Sequence, residues 1–185
     1  MASNTLAAFS DPFLWAMISM FGLVLASAVV AAPSIHESRF LGFTGVTLFA
    51  LGRVVLVLPF CVQLRLTFEP WHWIVGGGLF LAGMIFAVPV AAIRAFTGPD
   101  EDVVLKTTGF YGLVRNPLYF GELMWSAGLA LWFGSITGLM LIPVWWLALL
   151  CLTLIEETSL ERALGEPYRS YRDKVHARII PGLPI

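Results

Sequence analysis

Charge is what this chain has least of. Only 12% of its 185 residues are Asp, Glu, Lys or Arg, about half the ~25% of an average soluble domain. With 58% hydrophobic residues and a mean hydropathy of +0.84, that scarcity excludes a water-soluble globule and leaves an integral membrane protein. Cysteine is nearly absent: Cys61 and Cys151 lie far apart in apolar runs. They have neither metal nor redox spacing, and both are expected to be small buried hydrophobes. The three histidines do not form a ligand set either, since His36 and His72 fall in short loops and His176 near the C-terminus. No metal is expected. Lys and Arg are missing before Arg39, so the first apolar run lacks the basic start of a cleaved signal and is expected to stay as a span. Also lacking are a long linker, a low-complexity tract and an internal repeat. Length allows one domain over 1–185, with three spans in 1–96 and a polar loop, a helical hairpin and a tail in 97–185. No nucleic-acid partner is expected, and the sequence does not give an oligomeric state.

What is present is apolar length. A spanning helix needs about 20 apolar residues. Five runs are candidates, roughly 12–32, 40–62, 71–93, 118–134 and 136–155. The fold expected is therefore all-α, a polytopic membrane protein of about five transmembrane helices. The fourth run is short, and Gly134-Ser135 makes a tight turn, so runs four and five form an antiparallel hairpin. Trp71, Trp73, Trp125, Trp132, Trp145 and Trp146 fall near run ends or within the hairpin, and some are expected to anchor at the interface. With the N-terminus outside, nine of the eleven basic residues are cytoplasmic. They are Arg39, Arg94, Lys106, Arg115, Arg162, Arg169, Arg172, Lys174 and Arg178. The outer loops keep only Arg65. The positive-inside bias therefore predicts a cytoplasmic C-terminus. Arg53 lies within the second run, about 20 Å along its helix from the cytoplasmic end, and is expected to snorkel outward.

Two polar clusters frame the hairpin on that cytoplasmic side. Gly109 to Glu122 opens the fourth run, and Ile155 to Pro181 follows the fifth. Before the first, Gly98-Pro99-Asp100-Glu101-Asp102 reads as a turn, and Val103-Val104-Leu105 is expected to touch the bilayer surface. In the second, Gly165 can stop a helix and Pro167 suits the first turn of the next. Tyr168, Tyr171 and Val175 share one face of that next helix, with Arg169, Arg172, Asp173 and Lys174 opposite. The helix should lie on the interface or fold back over the hairpin; a basic amphipathic helix resting on headgroups is the plainer reading. That reading does not explain Glu156-Glu157. Successive helical residues diverge by about 100°, so at least one carboxylate should point into the hairpin's mouth. An ionisable group at such depth is a functional candidate. Glu122 lies one turn into the fourth run on the same side. Arg115 and Arg178 are the cationic counterparts, and Tyr111, Tyr119, Tyr168 or Tyr171 could roof a polar pocket with apolar walls.

The two clusters resemble the membrane methyltransferases of the isoprenylcysteine carboxyl methyltransferase and phospholipid methyltransferase superfamily. The first motif reads Gly109-Phe110-Tyr111 and Val114-Arg115-Asn116-Pro117-Leu118-Tyr119-Phe120-Gly121. The second reads Glu156-Glu157, Leu160, Leu164-Gly165, Tyr168, Tyr171, Val175, Arg178 and Pro181. Together they cover about residues 107 to 181. Phe110 stands where the family has Pro, Leu164 where it has Phe, and Asn116 where the isoprenylcysteine branch has His. Asn116 does not titrate near neutral pH, so it has no acid–base role, although it can still hydrogen-bond a cofactor.

The resemblance implies S-adenosylmethionine as methyl donor, held between the motifs at the cytoplasmic face, and a lipophilic acceptor arriving from the bilayer. Tyr111, Arg115, Asn116, Pro117, Tyr119, Gly121, Glu157 and Tyr168 are then the expected cofactor-binding residues. Glu156, Glu157 and Arg178 are the expected catalytic ones. Arg115 or Arg178 suits the donor's carboxylate, an anionic side chain its amino group, and Tyr111, Tyr119 or Tyr168 its adenine or sulfonium. The N–H groups at the helix start by Pro117 could receive an anion. A carboxylate acceptor needs a cation to position it, such as Arg178. A lipid amine must first lose a proton, for which Glu156 or Glu157 is the candidate base. A lipid hydroxyl is a third acceptor. Two alternatives of other classes stay open: an NADPH-dependent membrane reductase of the sterol reductase type, and a non-enzymatic scaffold or transporter subunit.

Overall fold

The computed structural model describes residues 7–31, 39–96 and 105–183, and of 30, 31, 39 and 93–96 the backbone alone. His36 and the expected turn over 98–102 lie outside the described residues, as do Val103 and Val104 and the side chains of Arg39 and Arg94. The helices are α1 (Pro12–Ala31), α2 (Arg39–Val57), α3 (Trp71–Phe96), α4 (Pro117–Trp132), α5 (Ile136–Leu164) and α6 (Glu166–Lys174), with a 3-10 turn at Gly109–Gly112. Among the described residues the one extended pairing is an isolated bridge between Arg65 and Ser135. The protein is all-α, as expected. Backbone polar groups have no water to bond inside a bilayer, and a helix satisfies them internally.

α1, α2, α3 and α5 are long and apolar enough to cross a membrane. α4 has 16 residues, which at ~1.5 Å per residue is about 24 Å, short of a ~30 Å hydrocarbon layer. Two run ends move. α2 stops at Val57 rather than near 62, because Leu58 precedes Pro59 and a pre-proline residue disfavours the helical region. α5 runs past Ile155 to Leu164, so both glutamates are helical. Gly165, at φ +62°, then ends it in a conformation that costs glycine little.

Contacts gather the chain into two compact units, Met1–Phe80 with Ser126–Trp145, and Leu81–Trp125 with Trp146–Ile185. In the first unit α1 and α2 cross at small residues. A Cβ on Gly45 would stand 2.6 Å from the Ala26 nitrogen, so glycine is what lets the backbones meet. Arg53 is buried here, 2% exposed, which overturns the expected snorkelling. Its Nε donates to the Phe49 carbonyl (3.1 Å) and a terminal nitrogen to the Ser126 hydroxyl (2.8 Å), while its guanidinium stacks 3.6 Å from the Phe49 ring centre. Partners inside the protein take the place of the aqueous interface. Arg65, read only as a loop charge, clasps the carbonyls of Val57, Leu58, Cys61 and Phe133. The hairpin turn is also in this unit. Gly134 and Ser135 donate back to Leu131 and Ala130, a Schellman pattern, and the Ser135 hydroxyl caps α5 by accepting from the Gly138 N–H.

The tryptophans sort by exposure. Trp71, Trp73 and Trp132 are exposed and suit the interface, whereas Trp125 and Trp145 are core residues. Cys61 is buried as expected, but Cys151 is exposed on α5, among side chains such as Val144, Leu147 and Leu154 that face outward. An apolar exterior of this kind is what lipid contacts.

Candidate active site

All the expected site residues lie in the second unit. α3 and α4 approach there through Gly83 and Gly121; a Cβ on Gly121 would lie 2.6 Å from the Ala87 nitrogen. The space that a side chain at 121 would need is therefore taken up by the α3 backbone, and glycine there permits close helix packing. Phe86 of α3 packs against a tilted Phe110 ring (4.5 Å) and edge-to-face with Phe120 (5.0 Å), holding the 3-10 turn beside the start of α4.

Arg115 and Asn116 bridge that turn and α4. Pro117 fixes the first helical residue and has no N–H to lose. The Asn116 carbonyl accepts the Phe120 N–H at 3.2 Å. Ahead of the helix, the N–H groups of Arg115 and Asn116 donate to the Ala177 and Arg178 carbonyls at 2.9 and 2.8 Å. The tail after α6 is thus bound backbone to backbone onto the first motif. No sequence pattern announces such a pairing, because carbonyls are common to every residue.

Side chains complete the knot. Arg115 gives its Nε to one Glu157 oxygen (2.7 Å) and a terminal nitrogen to the Val175 and His176 carbonyls (2.7 and 3.1 Å). Arg178 gives its Nε to the other Glu157 oxygen (3.0 Å). Arg115 and Glu157 are both 7% exposed. A carboxylate at that depth must be paired, and here two guanidiniums share it. Glu156, a quarter-turn around α5, accepts the Tyr119 hydroxyl at 2.6 Å and stays half-buried. Both glutamates thus reach the first motif. Glu122 is half-buried in the second turn of α4.

The expected face of α6 is buried. Tyr168, Tyr171 and Val175 form a cluster with Leu105, Tyr111, Leu160 and Leu164. This selects folding back over resting on headgroups. It also corrects Leu105, which packs on the cluster rather than on the bilayer. The Tyr171 hydroxyl donates to the Tyr111 carbonyl (2.8 Å). Burial, and then the Glu157 charge, push the Tyr168 phenol up to about 12; burial raises Tyr171 as well. Both are neutral phenols at physiological pH. On the outer side, Arg169 and Arg172 converge on Glu161, an exposed arrangement worth little. The tyrosines therefore divide. Tyr119 reaches a motif carboxylate, while Tyr168, Tyr171 and Tyr111 hold the tail to the loop.

A charged knot between the start of α4 and the polar end of α5, in a chain with four helices long and apolar enough to cross a membrane, defines a polytopic membrane protein with a polar site in its second unit. The phospholipid methyltransferase family model matches residues 71–167, more than half of the chain, and the chain belongs to that family. A relative, the protein-S-isoprenylcysteine O-methyltransferase of Schizosaccharomyces pombe (strain 972 / ATCC 24843), is 32% identical over 99 residues, 53% of this chain. The aligned part covers 40% of that relative's length. No solved structure matches the chain. The family match ends at Pro167, so Tyr168, Tyr171 and Arg178 join the site through the geometry above.

Proposed function

We propose that this protein transfers a methyl group from S-adenosylmethionine to a lipophilic acceptor, a phospholipid amine, a prenyl-cysteine-like carboxylate or a lipid hydroxyl, at the cytoplasmic end of its helices. The observation that carries the reading is the Arg115–Glu157–Arg178 network. It ties both methyltransferase motifs into one charged centre at the end of an apolar hairpin. The basic residues concentrated around those motifs support the cytoplasmic orientation, with the N-terminus outside.

The residue chemistry fits the donor. When bound, S-adenosylmethionine supplies a methyl group already activated on a sulfonium. Arg178 commits only its Nε to Glu157 and is 27% exposed at its side chain, so its terminal N–H groups suit an aminoacyl carboxylate. Arg115, bound to Glu157 and to the tail carbonyls, acts with that carboxylate as the frame that fixes Arg178. Asn116, with Pro117 starting α4, sets the loop beside them. Glu156, held by Tyr119, is the better-placed carboxylate for an ammonium or for accepting an acceptor's proton. Tyr111 and Tyr168 wall the loop, and Gly121 holds α4 against α3. The chain's remaining task is to align the acceptor at near-attack distance and exclude water.

Calorimetric titration of the detergent-purified chain with S-adenosylhomocysteine, with NADPH as comparison, tests this. Saturable binding of the first alone is expected, followed by methylation of a phosphatidylethanolamine, a farnesylated cysteine or a lipid phenol. Binding of NADPH alone, by folded protein, would replace the reading with a reductase.

A further inference from the structure

Thr153 is fully buried on α5, and its hydroxyl has no hydrogen-bond partner. A threonine in a helix ordinarily satisfies itself on the carbonyl four residues back. Thr158 and Ser159 of the same helix do so, at 2.8 and 3.2 Å; Thr153 does not. Seven residues earlier the indole N–H of Trp146 is also buried and unpartnered. Other orphaned side-chain atoms among the described residues, on His72 and Trp145, belong to the other unit.

These two donors are not scattered. Trp146, Thr153 and Glu157 are seven and four residues apart, so at ~100° per residue they fall within about 40° of one line down α5. Thr153 lies about 6 Å, and Trp146 about 16 Å, from Glu157 along the axis. Both are on the apolar side of the charged knot, the side from which a lipid would come. An indole N–H can only donate, and a threonine hydroxyl can do both. The matching molecule has an oxygen near its reacting end and a second uncharged oxygen, such as a carbonyl or ether, deeper in the hydrocarbon layer.

We infer that Thr153 and Trp146 are positioning residues for the methyl acceptor, a lipid carrying two such oxygens, an inference that rests on the methyltransferase reading. Thr153 orients the reacting head against the donor, and Trp146 fixes the depth of the molecule. Leaving polar atoms unpaired in a helix core costs stability; it persists where a ligand completes them.

The test uses the full chain and the variants Thr153→Val, Thr153→Ser and Trp146→Phe. Melting temperature, S-adenosylhomocysteine affinity, and kcat and KM for dioleoylphosphatidylethanolamine and a farnesylated cysteine in mixed micelles are measured. Thr153→Val should melt no lower than wild type, since it removes an orphaned hydroxyl. It should keep donor affinity within twofold. Its acceptor KM should rise about fivefold to tenfold, the weight of one buried hydrogen bond, with a smaller change in kcat. Thr153→Ser should restore the wild-type KM, and Trp146→Phe should raise it for dioleoylphosphatidylethanolamine, whose ester carbonyls supply the deeper oxygen, but not for the farnesylated cysteine, whose prenyl chain has none. A lower melting temperature for Thr153→Val, or an unchanged acceptor KM, would overturn the inference while the methyltransferase reading stood. Absence of S-adenosylhomocysteine binding by folded wild type would remove that reading and this inference together.

Discussion

Arg65 and Arg115 are both clasped by backbone carbonyls, but only Arg115 of the two adds a carboxylate. Arg65 closes the first unit by gathering four carbonyl oxygens from the end of α2, the following loop and the hairpin turn. Val57 ends α2, and Leu58, Cys61 and Phe133 lie beyond helix ends, where intrahelical donors run out. A guanidinium with five N–H donors is the natural cap. Nothing in that arrangement needs a ligand. Arg115 performs the same stitching on the tail carbonyls of Val175 and His176, then shares Glu157 with Arg178. A buried ion pair is a poor way to gain stability, because desolvation offsets most of the attraction. Neutral acceptors suffice to close a fold. A carboxylate between two guanidiniums keeps charge at the end of an apolar hairpin, where the proposed zwitterionic donor would need it.

The sharpest way to break this contrast is Glu157→Gln. Removing one charge of a buried pair costs about 3–5 kcal/mol. Spent on the frame that fixes Arg178, that corresponds to roughly a hundredfold or greater loss of S-adenosylhomocysteine affinity. Calorimetry on protein shown to be folded measures it. Wild-type affinity in that variant would make the Arg115 knot as purely structural as the Arg65 clasp.

Arg65→Ala is the complementary cut, with a smaller effect. It strands several carbonyls that can partly recover hydrogen bonds from water at the loop, so a loss of about 2–4 kcal/mol in stability is expected. Donor affinity in the folded fraction should stay within twofold. Thermal unfolding and calorimetry on the same sample separate the two. A donor affinity that fell with the stability would show that the first unit's clasp also serves the site.

How far these arginines could be read from the sequence differs in the same way. Arg115 and Glu157 were legible because their neighbours are distinctive: Asn116-Pro117 before a helix, and paired glutamates at the end of an apolar run. The tyrosine face of α6 was legible because Tyr168, Tyr171 and Val175 keep helical spacing after a glycine stop. Arg53 was not. Its position along α2 and its surroundings suggested an outward reach, but Ser126 is 73 residues away and no local pattern connects them. Arg65 was missed for a related reason: its partners are backbone carbonyls, which carry no sequence signal. The same blindness hid the tail pairing of Arg115 and Asn116 with Ala177 and Arg178. That at least one of Glu156 and Glu157 is deep follows from helical geometry, whereas which one, and its sharing between two arginines, required the tail's path.

The smallest effect is invisible at neutral pH. Tyr168 lies within reach of the Glu157 charge, and burial raises its phenol to about 12, against ~10 in an unfolded chain. The folded state thus holds the proton more tightly than the unfolded one. The buried phenol's contribution is fully present below pH ~10 and is lost as pH rises through the folded value near 12. Wild type should therefore lose stability steeply above pH ~10 by this route, while Tyr168→Phe, which has no proton to lose, loses less. Below pH ~9 the two should differ only by a constant offset. Melting curves from pH 7 to 11.5 provide the measurement. Parallel curves across that whole range would mean that the phenol ionises as freely folded as unfolded, and that the aromatic cluster beside Glu157 is open to water rather than sealed around the charged knot.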